Sequence, residues 1–150
     1  MKWILSHATE GIHQWQLQQD GRVKFLSFHR QRLSLRIAGI TKRLFFLNEQ
    51  GFLQKKILLR SEYGVAIGET IFIDKPVAGH LTLNEQKFFY RCDEGQLSLF
   101  DSEKNLLAVS EFDAAMATDK YERYGLLFGF TWLQLADGVA EKNRVLSITA

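Results

Sequence analysis

Arg30, Arg32 and Arg36, with Lys42 and Arg43 just beyond the next turn, are the residues of this chain best suited to chemistry. Their even spacing places three guanidinium groups on one face of a strand, opposite Leu33, Leu35 and Ile37. Guanidinium groups grip phosphate oxygens through paired hydrogen bonds, so the expected chemistry is anion binding. The same pattern also reads as a solvated strand face whose charge discourages edge pairing. Lys55, Lys56 and Arg60 carry the same two readings.

Other chemistries find less support. His7, His13, His29 and His80 show no metal-ligand spacing. Cys92 is the one cysteine; it lacks the local signature of a catalytic thiol and reads as a small buried hydrophobe. Neither a G-x-S-x-G elbow nor a phosphate-binding P-loop is present. Gly64-Val-Ala-Ile-Gly68 lacks the third glycine of a dinucleotide fingerprint and reads as a strand irregularity. Asp93-Glu94 sits in turn-like sequence. Phe28 beside Arg30 and Arg32 suggests base stacking, but a pI near 8.7 is only mildly basic, so no nucleic acid is expected. No catalytic residue, metal ligand or cofactor is predicted.

The elements that must position the arginines are mostly strands. From residue 12 to residue 112, short period-2 runs alternate with turn residues, as in an all-β barrel or sandwich. The runs are His13–Leu17, Val23–Phe28, Arg32–Ile37, Arg43–Leu47, Phe52–Leu59, Val65–Ile73, His80–Leu83, Lys87–Arg91, Gln96–Phe100 and Leu106–Phe112. Arg144–Thr149 reads as a last strand. Asp20-Gly21, Asn48–Gly51, Asp93–Gly95 and Asp101–Asn105 supply turns. Leu44–Leu53 resembles Leu97–Leu106, a weak repeat of strand, Asn/Asp turn, strand, and Trp15–Gly21 is a looser third copy.

After Phe112 the alternation stops and the sequence becomes helix-compatible. Asp113 or Thr118 is placed to cap the start, and Asp119 and Glu122 put negative charge near the N-terminus. Tyr124–Ala136 is then apolar on every side, and Asp137-Gly138 predicts the stop. A helix without a polar face is enclosed by protein or by lipid. Thirteen residues rise about 20 Å, short of the roughly 30 Å hydrocarbon core, so enclosure by protein is expected. Gly125 and Gly129 are read as points where another backbone approaches closely. Many strands and one enclosed helix predict a mainly β fold. It is a closed antiparallel barrel of about ten to twelve strands around a buried C-terminal helix.

Bulk properties fit this picture. The 150 residues suit one domain, 1–150. Hydrophobic residues at 46% and charged residues at 24% exclude a disordered chain. Met1–His7 has too short an apolar run for a secretory leader. With a lone cysteine, this favours a cytoplasmic, soluble protein. The net charge of +2 is uneven. Residues 1–75 hold 12 Lys/Arg against 6 Asp/Glu, and residues 76–150 hold 7 against 11. A basic half attracts anions.

The chain resembles the tubby-like superfold of tubby C-terminal domains, phospholipid scramblases and plant LURP-one-related proteins. The resemblance rests on the repeated hairpins at Leu44–Leu53 and Leu97–Leu106, on Gly79–Tyr90 leading into Leu97–Asp101, and on Tyr124–Ala136. It implies a β-barrel threaded by a hydrophobic C-terminal helix, no common catalytic residue, and an association with phosphoinositides through basic residues. The functional expectation is a non-enzymatic binding module for anionic lipid headgroups or a protein partner, without a transmembrane span. The alternatives are a lipocalin-like barrel for a small apolar ligand and an enzyme with an unrecognised site.

Overall fold

The computed structural model describes residues 2–19, 21–39, 42–71, 78–93, 95–111 and 119–149, excepting the side chains of His7, Gln19 and residues 136–149. Eleven strands follow in chain order: β1 (Lys2–Thr9), β2 (Ile12–Gln19), β3 (Arg22–His29), β4 (Ser34–Ala38), β5 (Lys42–Gln50), β6 (Lys56–Ser61), β7 (Ala66–Ile71), β8 (Ala78–Leu83), β9 (Gln86–Asp93), β10 (Gln96–Phe100) and β11 (Leu106–Glu111). The helix α1 (Lys120–Thr149) comes last. Each strand pairs with its sequence neighbour, and β11 pairs with β1 to close a barrel.

The sequence predicts an antiparallel barrel, and the ten neighbour pairings are antiparallel. The closing pair is parallel, with Lys2 opposite Glu111. An odd number of up-and-down strands makes the first and last run the same way, so the seam has no other choice.

Side-chain alternation decides what lies inside. Trp15, Leu17, Leu26, Phe28, Leu35, Ile37, Phe45 and Leu47 point inward and are buried, while Gln18, Arg36, Asn48, Glu69 and Arg91 are exposed. Apolar-in, polar-out is the reverse of a membrane-spanning barrel. Among the described residues, no helix is long and apolar enough to cross a membrane.

The first half of α1 occupies the interior. Tyr124 through Thr131 are all buried. Phe130 meets Trp3 of β1 edge-on at 6.4 Å and Trp132 meets Phe45 of β5 at 5.0 Å. Phe128 faces Gly68 of β7, and Tyr124 donates to the Ile71 carbonyl at 3.4 Å. Contacts on opposite walls place the helix along the barrel axis. Thr131 sits among apolar neighbours because its hydroxyl donates to the Leu127 carbonyl at 2.8 Å.

Gly125 and Gly129 of α1 have a different reason from the one the spacing suggests. At Gly125 an added Cβ would lie 3.0 Å from Phe28 Cδ2, and at Gly129 only 2.0 Å from Leu26 Cδ1. Inward side chains of the wall approach the helix there, not another backbone.

Several expected boundaries move. β1 is a strand although the alternation begins later. The predicted Asn48–Gly51 turn is wrong, because β5 runs on to Gln50 and the loop is 51–55. The strand read as Phe52–Leu59 therefore starts at Lys56. With Asn48 inside a strand, the Leu44–Leu53 repeat does not match the true turn at Asp101–Asn105. In that turn the Asp101 carboxylate accepts from the Glu103 and Asn105 amides at 2.9 Å each.

The helix passes through Asp137-Gly138 without stopping, and Arg144–Thr149 is helical, not a strand. One glycine costs about 1 kcal/mol in a helix, too little to end one that continues on both sides. Asp119 caps α1, its carboxylate accepting from the Tyr121 and Glu122 amides at 2.8 and 3.2 Å. The expected caps Asp113 and Thr118 lie outside the described residues. Gly64-Val-Ala-Ile-Gly68 is the strand irregularity expected: Gly64 turns at φ 79° and the β6–β7 register slips between Leu59 and Arg60.

Candidate functional site

Two cross-strand rows on the outer wall build a groove around two of the predicted arginines. Register aligns Ile12, His29, Ser34 and Phe46 across β2 to β5 in one row. Gln14, Ser27, Arg36 and Leu44 form the next. Between them lies a groove of about 340 Å³ lined by Ile12, Ser27, His29, Arg32, Ser34, Arg36, Leu44 and Phe46. That volume is within the range of small-ligand clefts.

Arg32 reaches the groove from the β3–β4 turn. Leu33 takes φ 49° there, partly buried against the core, and its carbonyl accepts from the Leu47 amide at 2.8 Å. The turn is thus tied to β5. The Arg32 amide donates to His29 Nδ1 at 3.4 Å, which leaves Nε2 of the neutral ring as its N–H donor.

The chemistry of the lining is one-sided. Two guanidinium groups, an imidazole N–H and two hydroxyls donate hydrogen bonds, and no carboxylate lines the groove among the described residues. Arg32 and Arg36 have no ion-pair partner among those residues. Ile12, Leu44 and Phe46 supply an apolar floor. Such a surface is complementary to a phosphate attached to a small organic group.

The five cations singled out by sequence thus divide. Arg32 and Arg36 come together. Arg30 turns to the helix cap, its Nε 3.1 Å from the Asp119 carboxylate. Lys42 is exposed at the start of β5 opposite Ala38, further along the same wall. Arg43 faces the opposite way, its guanidinium 5.1 Å from the Phe45 ring and 5.0 Å from the Trp132 ring. Odd and even positions of one strand lie on opposite faces, so Lys42 and Arg43 cannot both serve the groove. The sequence places Ser34 between Arg32 and Arg36; it does not single out Ser27 or His29 for this site, because their alignment with Arg36 and Ser34 needs the register.

A second polar cluster sits where α1 enters the barrel. Glu122 is 1% exposed and accepts from His13 Nδ1 at 2.7 Å and Trp15 Nε1 at 2.9 Å. Nearby, the Tyr121 hydroxyl donates to Glu49, whose other oxygen lies 3.2 Å from Lys55 Nζ. These contacts hold Glu49 below its ordinary 4.5, the Tyr121 hydrogen bond first and Lys55 next. The same hydrogen bond, with burial second, pushes Tyr121 from 10.0 up to about 12.

A lowered acid contributes stability above its ordinary value that is lost as pH falls through the folded one. A raised tyrosine contributes stability below 10.0 that is lost as pH rises toward about 12. Tyr121→Phe is therefore expected to lower the denaturant midpoint at neutral pH. The gap from wild type should narrow below pH 4.5 and above pH 10. Denaturant titrations across pH check this.

Cys92 is partly buried, and burial pushes its thiol up to about 11, which disfavours the nucleophilic thiolate. Among the described residues, no three His, Cys, Asp or Glu side chains converge to hold a metal. The closed eleven-stranded barrel with its C-terminal helix is compatible with a tubby-like barrel. Compared with family models, curated proteins and solved structures, the chain finds no match.

Proposed function

We propose that this protein is a non-enzymatic, tubby-like binding module that recognises the phosphate of an anionic lipid headgroup in the groove between β2 and β5. The observation that carries the reading is the pair Arg32 and Arg36, free of acidic partners among the described residues and grouped with His29, Ser27 and Ser34 around one cleft. Of the other three cations, Arg30 is committed to Asp119 and Arg43 to Phe45, Trp132 and Glu62, while Lys42 lies further along the wall. The apolar floor suits the glycerol portion of a lipid.

The barrel interior supports this choice over a lipocalin-like one. A barrel for an apolar ligand needs an open lumen, and here Tyr124, Phe128 and Phe130 fill it with no exposure.

Co-sedimentation with vesicles tests the reading. Wild type is expected to pellet with phosphatidylcholine–phosphatidic acid vesicles and not with phosphatidylcholine alone. Arg32→Glu/Arg36→Glu should weaken pelleting by about two orders of magnitude, since each charge-assisted contact is worth about 1.5–3 kcal/mol. Equal pelleting of wild type and variant would refute it.

A further inference from the structure

We infer that the β5–β6 loop is an interfacial wedge that inserts Phe52 and Leu53 into an anionic bilayer while the β2–β5 groove engages a headgroup beside it. The inference rests on the reading of the groove given above and adds the contact that makes a bilayer, not a free phosphate, the binding surface.

Phe52 and Leu53 are 98% and 97% exposed, more than any other large apolar side chain described. Adjacent exposed apolar residues at a loop tip have no packing role in the fold. The tip is nonetheless built. Gly51 takes φ 107°, and a Cβ there would lie 2.2 Å from the Gln54 carbonyl oxygen. The chain folds back in a way open only to glycine and projects both side chains outward. Lys55 and Lys56 follow after Gln54 and are exposed, Lys55 with its Nζ 3.2 Å from Glu49. An apolar tip rimmed by lysines is the complement of a negatively charged membrane interface.

Placement relative to the groove supports the same partner. The up-and-down topology puts the β3–β4 turn, which carries Arg32, and the β5–β6 loop at one end of the barrel. That is also the end where α1 begins. Phe46 lines the groove, and β5 runs from it four residues, about 13 Å, to Gln50 at the loop. Tie points at this end fix both segments: Arg30 to Asp119, and Glu49 to Tyr121 and Lys55. Wedge and groove are therefore held on one rim.

A second copy of the chain is the poorer occupant. An aromatic side chain offers about 150–250 Å², so the pair falls well short of the about 800 Å² per partner that a stable dimer covers.

Three measurements on the full chain test this. In Phe52→Trp, emission above the wild-type tryptophan background should shift to the blue on phosphatidylcholine–phosphatidic acid vesicles and be quenched by brominated acyl chains. Phe52→Ser/Leu53→Ser should bind these vesicles about tenfold or more weakly with an unchanged melting temperature. Its affinity for glycerol phosphate should equal that of wild type. Unshifted Trp emission on pelleted vesicles, or full vesicle binding by the double serine variant, overturns the wedge while leaving the groove intact. Failure of wild type to bind glycerol phosphate, or equal binding by Arg32→Glu/Arg36→Glu, overturns the groove separately. Absence of vesicle binding by wild type overturns the wedge.

Discussion

Gly129→Leu is expected to abolish the cooperative fold, or to lower its stability by more than about 3 kcal/mol. A Cβ at this position already lies 2.0 Å from Leu26 Cδ1 and 3.6 Å from Leu35 Cδ2, and both leucines are fully buried. Overpacking a filled core usually costs about 1–3 kcal/mol, and a whole isobutyl group on the barrel axis has no direction in which to relax. Gly129→Ala separates two effects. It gains about 1 kcal/mol of helix propensity and loses the overpacking term, leaving a net loss of about 1 kcal/mol. Gly125→Ala meets Phe28 at the looser 3.0 Å, so propensity and crowding roughly cancel. Denaturant unfolding of the three variants should rank them Gly125→Ala, Gly129→Ala, Gly129→Leu in order of increasing damage. A Gly129→Leu protein as stable as wild type would mean that α1 does not run through the barrel.

The second large effect is expected at Glu122. Its carboxylate is enclosed and is the acceptor for the fully buried Trp15 indole and for His13. Removing an acceptor strands its donors, and each buried unsatisfied group costs about 1–3 kcal/mol. Glu122→Ala should therefore destabilise by about 2–4 kcal/mol. Glu122→Gln keeps a carbonyl oxygen for one donor and should lose about half as much. The indole N–H resonance of Trp15 should move in both variants and broaden or exchange faster in the alanine one. Equal stability of alanine and glutamine variants would show that the hydrogen bonds do not hold the helix at the mouth of the barrel.

These two sites show how far the sequence reaches. The run at Tyr124–Ala136, interrupted only by Thr131 and Gln134, and the period-2 strands sufficed for a barrel around a helix, because enclosure follows from the absence of a polar face. Glu122 was legible only as favourable charge near a helix start. Its partners lie 109 and 107 residues away in β2, and nothing local announces that distance. Asn48 misled in the opposite sense, since a turn-forming residue can sit in a strand when neighbouring strands supply its pairing. Asp137-Gly138 misled for a related reason: a local stop signal of about 1 kcal/mol yields to a helix already nucleated and anchored.

The candidate groove was half legible. Alternation put Arg32 and Arg36 on one face, opposite Leu35 and Ile37. Alternation alone could not say that Arg30 would be taken by Asp119, or that Arg43 would stack on Trp132. Nor could it bring Ser27 opposite Arg36 and His29 opposite Ser34, which are matters of register. Exposure of Phe52 and Leu53 was hidden for the same reason, because two apolar residues after a glycine read as the start of a strand.

Residue-resolved titration of the full chain with glycerol phosphate, followed by amide and arginine Nε resonances, decides whether the groove between β2 and β5 binds phosphate. Saturable shifts are expected only at Ile12, Ser27, His29, Arg32, Ser34, Arg36, Leu44 and Phe46, and they should be lost in Arg32→Glu/Arg36→Glu. Shifts that saturate elsewhere on the barrel, or no saturable shift in the wild type, would contradict phosphate binding in the groove.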